Sequence, residues 1–215
     1  AVHLVVVDPG VGTTLRAIAS QRPWGWVVGP DNGVFSYVWA SAPPSGIVSL
    51  NNPRYHRGEI SRTFHGRDIF APAAAHLAAG VALKNLGDEI DDPVRLPTPT
   101  FAVDPDRIQG EVIAVDHFGN VVTSIGQFNW MDDRLALDAV FGDIDGLTLN
   151  ASESRVFAAG RAIGPIRSTY GGVARGESLA LIGSTGMLEV AVNQGHGATV
   201  LDLRVGDPLE VRIDV

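Results

Sequence analysis

The chain has 215 residues, 45% of them hydrophobic and 19% charged, a composition that suits a globular protein with a sizeable core, built as one broad domain or two compact ones. Its 24 acidic residues outnumber 16 scattered basic ones for a net charge of −8, so the electrostatic footprint of a nucleic-acid binder is absent and no nucleic-acid partner is expected. The lack of cysteine excludes disulfides, zinc–thiolate sites and thiol nucleophiles, and no apolar run reaches bilayer-spanning length, so no membrane partner is expected and the cytoplasm is the default location.

In chain order, Leu4–Val7 and Trp26–Val28 read as buried strands, and Ile69–Ala79 as an alanine-rich helix stopped by Gly80, an α/β pattern. The stretch Asp91-Asp-Pro-Val-Arg-Leu-Pro-Thr-Pro-Thr100 cannot continue a helix and reads as an extended connector. A boundary there separates an α/β domain over residues 1–95 from a second domain over 104–215. In the second half, β-formers recur at Val112–Val115, Val121–Ile125, Leu179–Ile182, Leu188–Val192, Val200–Val205 and Leu209–Ile213, separated by Gly, Asp and Asn, which predicts an all-β domain, a small barrel or sandwich.

Polar clusters interrupt these elements. Val7-Asp-Pro-Gly-Val-Gly-Thr13 places Asp8 just past the first apolar strand, where ligands gather in α/β folds; a turn in which Asp8 caps backbone N–H groups is the competing explanation. Gly29-Pro-Asp-Asn-Gly33 closes another strand, and Asp31 there reads first as a helix N-cap, with a ligand role for Asp31 or Asn32 as the alternative. Thr63-Phe-His-Gly-Arg-Asp68 sets His65 in a loop and Asp68 where it favours the helix N-terminus; a full metal shell with recognisable spacing is missing, so no metal is expected. In the β-rich half, Asp116-His-Phe-Gly-Asn120 offers a carboxylate, the Phe118 ring and the Asn120 amide, which can match the N6/N7 edge of adenine, although Gly-Asn is also ordinary hairpin chemistry. Gly183-Ser-Thr-Gly186 ahead of Leu188-Glu-Val-Ala-Val-Asn193 reads as a turn and a strand.

Taken together and in order, these motifs resemble the S-adenosylmethionine hydrolase family, also called SAM hydroxide adenosyltransferase, over almost the whole chain. The resemblance implies a Rossmann-like α/β domain followed by a β-barrel-like domain, hydrolysis of S-adenosyl-L-methionine to adenosine and L-methionine, no metal and no cofactor beyond the substrate itself. It also implies a homotrimer with active sites between neighbouring subunits. The catalytic set carried over is Asp8, His65 and an arginine. The family shows two consecutive arginines after the glycine loop, whereas this chain reads Leu15-Arg16, so Arg16 stands one position beyond the arginine credited with catalysis. On the substrate side, Asp116 is expected to receive the methionine ammonium, Ser184 its carboxylate and Asn120 the adenine edge, with Phe118, Asp31 and Asn32 completing the set. The family's upstream segment with its Thr-Asp-Phe-Gly motif, the ribose ligand, has no counterpart in this sequence, so weak binding and slow hydrolysis are expected of these residues alone; tight binding would point to another residue such as Asp31 at the ribose.

Related fluorinases and chlorinases attack the same carbon with a halide. A carboxylate at Asp8 helps water by taking its proton and repels an approaching anion, which favours hydrolysis over a halogenase. Leu15 is the feature that favours a third reading, a non-catalytic adenosine-binding protein.

Overall fold

In a computed structural model, which describes residues 1–142, 144 and 146–213, the chain divides into two units, Ala1–Pro97 and Thr98–Val215. The first is built on strands β1 (Val2–Leu4), β2 (Ala17–Arg22), β3 (Gly25–Pro30) and β4 (Gly46–Ser49), in the order β1-β3-β2-β4. The α/β class is as expected, but the sheet is mixed: β1 and β3 run parallel, and the other pairs are antiparallel. Because side chains alternate across a strand, β2 sends Ile18 to one face and Ala19 to the other. Ile18 packs with Val27, Phe35, Trp39 and Ile47, while Ala19 packs with Val28, Phe70, Ala73 and Leu77. Helices α1 (Ser36–Ser41) and α2 (Ala71–Ala78) thus serve opposite faces. The buried polar pair on the first face is satisfied, Trp39 Nε1 donating to Ser20 Oγ at 3.0 Å.

Two expectations in this unit need correction. The opening strand is Val2–Leu4 rather than Leu4–Val7, and it is an edge: Val6 and Val7 are 53% and 58% exposed. An apolar run cannot say whether both of its sides are covered. The helix starts earlier than expected, as a π-turn over Gly66–Phe70 that continues into α2, and it ends at Gly80, whose φ of +91° suits the left-handed stop.

The second unit carries β5 (Phe101–Asp104), β6 (Arg107–Val115), β7 (Val121–Thr123), β8 (Phe128–Met131), β9 (Arg134–Leu137), β10 (Leu147–Asn150), β11 (Arg155–Ala158), β12 (Arg161–Gly164), β13 (Ile166–Arg167), β14 (Ser178–Ile182), β15 (Leu188–Val192) and β16 (Pro208–Arg212). The large sheet follows the order β12-β11-β16-β6-β7-β15-β14-β13, with β5 beside β6, while β8, β9 and β10 form a separate small sheet. The two ends of that path, β12 and β13, are separated in the chain by Pro165 alone, so the sheet curls back on itself in a barrel-like arrangement around Ile108, Val112, Val121, Leu188, Val190 and Val211.

The expected strand at Val200–Val205 is absent. Helix α3 (Gly197–Leu201) occupies its start, capped by the His196 side chain, which accepts from Thr199 N, and tied to the barrel by Ala198 N donating to Gly119 O at 2.9 Å. Capping and one tertiary bond override the local β preference of Thr199, Val200 and Val205, as propensity is a weak prior. Among the described residues no helix is long and apolar enough to cross a membrane.

Candidate functional site

Three polar clusters of the first unit meet at one end of its sheet. Asn32 donates from Nδ2 to Val7 O at 2.8 Å and accepts from Val34 N at 3.1 Å, so a side chain from the β3 end holds the segment that leads from β1 to Asp8. A Cβ on Gly12 would strike the carbonyl of Arg62, and one on Gly66 would sit 2.9 Å from Val6 Cγ1. Only glycine permits these approaches, and they seat the Asp8 loop against the segment that carries His65.

Asp8 is half-buried, and its Oδ1 is fully covered without any hydrogen-bond partner among the described residues. A covered carboxylate oxygen with no donor is costly, and a donor from a ligand would relieve that cost. The turn explanation is not what this oxygen does, because the loop is closed by Thr13 Oγ1 donating to Gly10 O at 2.7 Å and by Val11 N donating to Asp8 O.

Arg16 is committed elsewhere. It bridges Asp31 at 2.7 Å and Asp92 at 2.7 Å, and also donates to Asp92 O at 2.8 Å. These partners, Asp92 foremost and then Asp31, hold its guanidinium pKa above the ordinary value. Asp31, 2% exposed, has both oxygens in use, Oδ2 by Arg16 and Oδ1 by Val94 N at 2.8 Å. It caps no helix, contrary to expectation, since α1 starts at Ser36 after Phe35. Asp31 ties the β3 end to the connector instead.

His65 is half-buried directly ahead of the π-turn. Asp68 is buried in the first turn of that helix, where it was expected; it accepts from Arg67 Nε at 2.7 Å, Arg67 Nη2 at 3.0 Å and Ser61 N at 2.8 Å. These bonds, led by Arg67, hold its carboxyl at about 2. The carboxylate therefore clamps the loop from Ser61 to His65 onto the π-turn ahead of α2.

In the second unit Asp116 closes the β6–β7 turn. Its Oδ1 accepts from Phe118 N at 2.9 Å and Asn120 N at 2.8 Å, and its Oδ2 accepts from Asn120 Nδ2 at 2.9 Å. Phe118 and Asn120 line a cavity of about 610 Å³ together with Tyr170, Val192, Gln194, Gly195 and His196. Ser184 lies on the β14–β15 turn and faces a different cavity, of about 300 Å³, beside Gln127 and Trp130. Asp116, Phe118 and Asn120 are thus brought together, and Ser184 is not among the residues lining that cavity. Sequence reasoning missed Tyr170, Gln194 and His196. His196 between two glycines at a strand end was a readable loop signal, whereas nothing local marks Tyr170, which reaches the site through the fold. Among the described residues no group of three or more His, Asp or Glu is placed to hold a metal ion.

Comparison with known proteins bears on this arrangement. The N-terminal domain of SAM hydroxide adenosyltransferase matches residues 1–87, and its C-terminal domain matches residues 110–210. The chain is 39% identical to an (R)-S-adenosyl-L-methionine hydrolase of Thermus thermophilus and 40% identical to one of Salinispora tropica, covering 98% of this chain and 75% and 74% of theirs. A fluorinase of Actinopolyspora mzabensis is more distant, at 28% identity over 95% of this chain and 74% of its own. A solved structure of an uncharacterised conserved protein from Thermotoga maritima superposes with a TM-score of 0.68 at 35% identity, covering 98% of this chain and 76% of that one.

Proposed function

The chain belongs to the SAM hydroxide adenosyltransferase family, and from that premise we propose that it hydrolyses S-adenosyl-L-methionine to adenosine and L-methionine. Water attacks the ribose 5′ carbon. The new C–O bond forms as the C–S bond breaks, its electron pair goes to sulfur to leave the neutral thioether of methionine, and one proton leaves the water. Asp8 is the group for that proton. The observation that carries this role is its covered, partnerless Oδ1 beyond the carboxyl end of β1. The same carboxylate opposes a halide: two like charges 4 Å apart repel by about 4 kcal/mol at an effective dielectric of 20. The greater similarity to hydrolases than to a fluorinase agrees with water as the nucleophile.

His65, on the neighbouring segment, is assigned to orienting the water. Arg16 and Asp31 are assigned to holding the loops around Asp8 and Asn32, since their polar atoms are bound to each other, to Asp92 and to Val94. Asp116 and Asn120 present the polar edge for the methionine ammonium and the adenine, Phe118 offers the ring face, and Ser184 receives the methionine carboxylate. A Rossmann-like layout of the first unit is supported by the parallel β1/β3 pair. The ordered motifs also support a homotrimer with active sites between subunits; a monomeric mass for an active preparation would reject it.

Turnover in water enriched in heavy oxygen tests the reaction. Adenosine should carry one solvent oxygen at its 5′ position, and no release of adenosine, or release without label, rejects the proposal.

A further inference from the structure

The amide of Asn120 is held by a chain of hydrogen bonds that distinguishes its two ends. Nδ2 gives one hydrogen to Asp116 Oδ2 at 2.9 Å and the other to the Tyr170 hydroxyl at 3.2 Å. Turning the amide over would set its oxygen against a carboxylate oxygen, so its orientation follows from chemistry. The Tyr170 oxygen, having accepted from Asn120, directs its own hydrogen to Glu189 Oε2 at 3.5 Å. Glu189 is 8% exposed on β15, and its carboxylate occupies the space that a Cβ on Gly183 would need. Among the described residues Asn120 Oδ1 takes no hydrogen bond. The cavity therefore meets a ligand at this point with an acceptor alone, because both amide hydrogens are spent.

Given the hydrolase reading above, we propose that Tyr170 and Glu189 are positioning residues that hold Asn120 with its carbonyl oxygen free, so that the cavity selects a purine carrying an amino group and rejects one carrying a ring carbonyl at the same place. An amino group donates to Oδ1, whereas a carbonyl sets two acceptors face to face. Burial, reinforced by the charge of Asp116, also pushes the Glu189 carboxyl pKa up, and burial first among its causes does the same for the Tyr170 hydroxyl, as befits groups enclosed with a carboxylate for a neighbour.

Calorimetric titration of the full chain with adenosine and with inosine tests the selection, alongside turnover of S-adenosyl-L-methionine by the same preparations. Wild-type protein should bind adenosine about 10–100-fold more tightly than inosine, the worth of one lost hydrogen bond and one apposed acceptor pair. In Tyr170→Phe the freed Nδ2 hydrogen can serve the ligand, and in Glu189→Ala the Tyr170 hydroxyl hydrogen loses its acceptor and can turn towards Asn120 Oδ1, so the preference should shrink at least about fivefold in both. Glu189→Gln, which keeps an acceptor for Tyr170, should retain most of it. Loss of structure alone would weaken both nucleosides equally, so an unchanged ratio in the two disrupting variants overturns the positioning role. A ratio near one in wild-type protein, or no binding of either nucleoside, overturns the selection even where hydrolysis proceeds, whereas a wild-type preparation that selects adenosine but releases none from S-adenosyl-L-methionine upholds the selection and overturns the hydrolase reading.

Discussion

The loops around Asp8 and Asp116 are built alike and end up in opposite states. Each follows a strand and closes on a glycine with positive φ, Gly12 at +79° and Gly119 at +87°. Asp116 takes two backbone N–H groups and a side-chain amide, so its carboxylate is fixed by its own turn, with room at Oδ2 for one further donor. The Asp8 loop is closed without help from the carboxylate, and Oδ1 stays covered and unpartnered. A carboxylate that spends its lone pairs on the fold becomes a fixed point of geometry, whereas one excluded from the local hydrogen bonding keeps its capacity for a proton. The same residue type at the same kind of turn can thus present a surface or do chemistry, and the neighbours' hydrogen bonds decide which.

The largest effect expected from this contrast is on turnover by Asp8→Asn. That change should lower kcat by roughly two to four orders of magnitude, the usual worth of a general base, with binding of S-adenosyl-L-methionine held near its wild-type level in calorimetry. A wild-type kcat would make Asp8 as passive as Asp116. Asp116→Ala should act the other way round. It leaves the donors of Phe118, Asn120 and the Asn120 amide without their acceptor, so KM should rise about tenfold or more and the protein should lose about 1–3 kcal/mol of stability. A melting curve reads that loss as roughly 2–4 °C for each kcal/mol, and an unchanged Tm and KM would show that the turn stands without its carboxylate.

Arg16→Gln sharpens the comparison at a third carboxylate. Asp31 is buried and paired, and its partner's removal leaves Oδ2 in the situation of Asp8 Oδ1. The expected cost is about 1–2 kcal/mol of stability, seen as a lower Tm, with a smaller fall in kcat than Asp8→Asn produces. If kcat instead falls as far as it does in Asp8→Asn, Arg16 acts in the chemistry itself.

The smallest effect is confined to acid. Asp68 is held at about 2, below its ordinary value of 3.8, so its contribution to stability is fully present above the unfolded pKa and is lost as pH falls through the folded one. Hydrogen exchange at Ser61 N should therefore accelerate between about pH 4 and pH 2, and Asp68→Asn should abolish that pH dependence while leaving exchange in the β6–β7 turn unaltered. Identical profiles for the two proteins would remove Asp68 as the clamp of the His65 segment.

The parts of the fold that were legible in the sequence are those where local chemistry and packing agree. Val121–Thr123, Leu188–Val192 and Leu209–Val211 are β-formers and lie in strands whose side chains face a core, and the alanines before Gly80 make a helix. The parts that were not legible are those where a distant contact outweighs local preference. Val200–Val205 reads as strand, yet the cap by His196 and the bond from Ala198 to Gly119 turn its start into a short helix. Asp31 reads as a helix cap, yet it caps none and is drawn to Val94 and Arg16 instead.

The order of the motifs, the family they belong to and the residue types available for chemistry were determined by the sequence alone, because they depend on identity and spacing along the chain. Which of those residues remained free to act was decided only by the tertiary structure. Arg16 looked available and is bound to two carboxylates; Asn120 looked able to both donate and accept and is left with its acceptor; Asp8 could be read as a turn cap or as a group for chemistry, and its Oδ1 is left unpartnered among the described residues. A side chain's remaining hydrogen-bonding capacity is what its neighbours leave over, and those neighbours, Asp92 and Tyr170 among them, come from far along the chain.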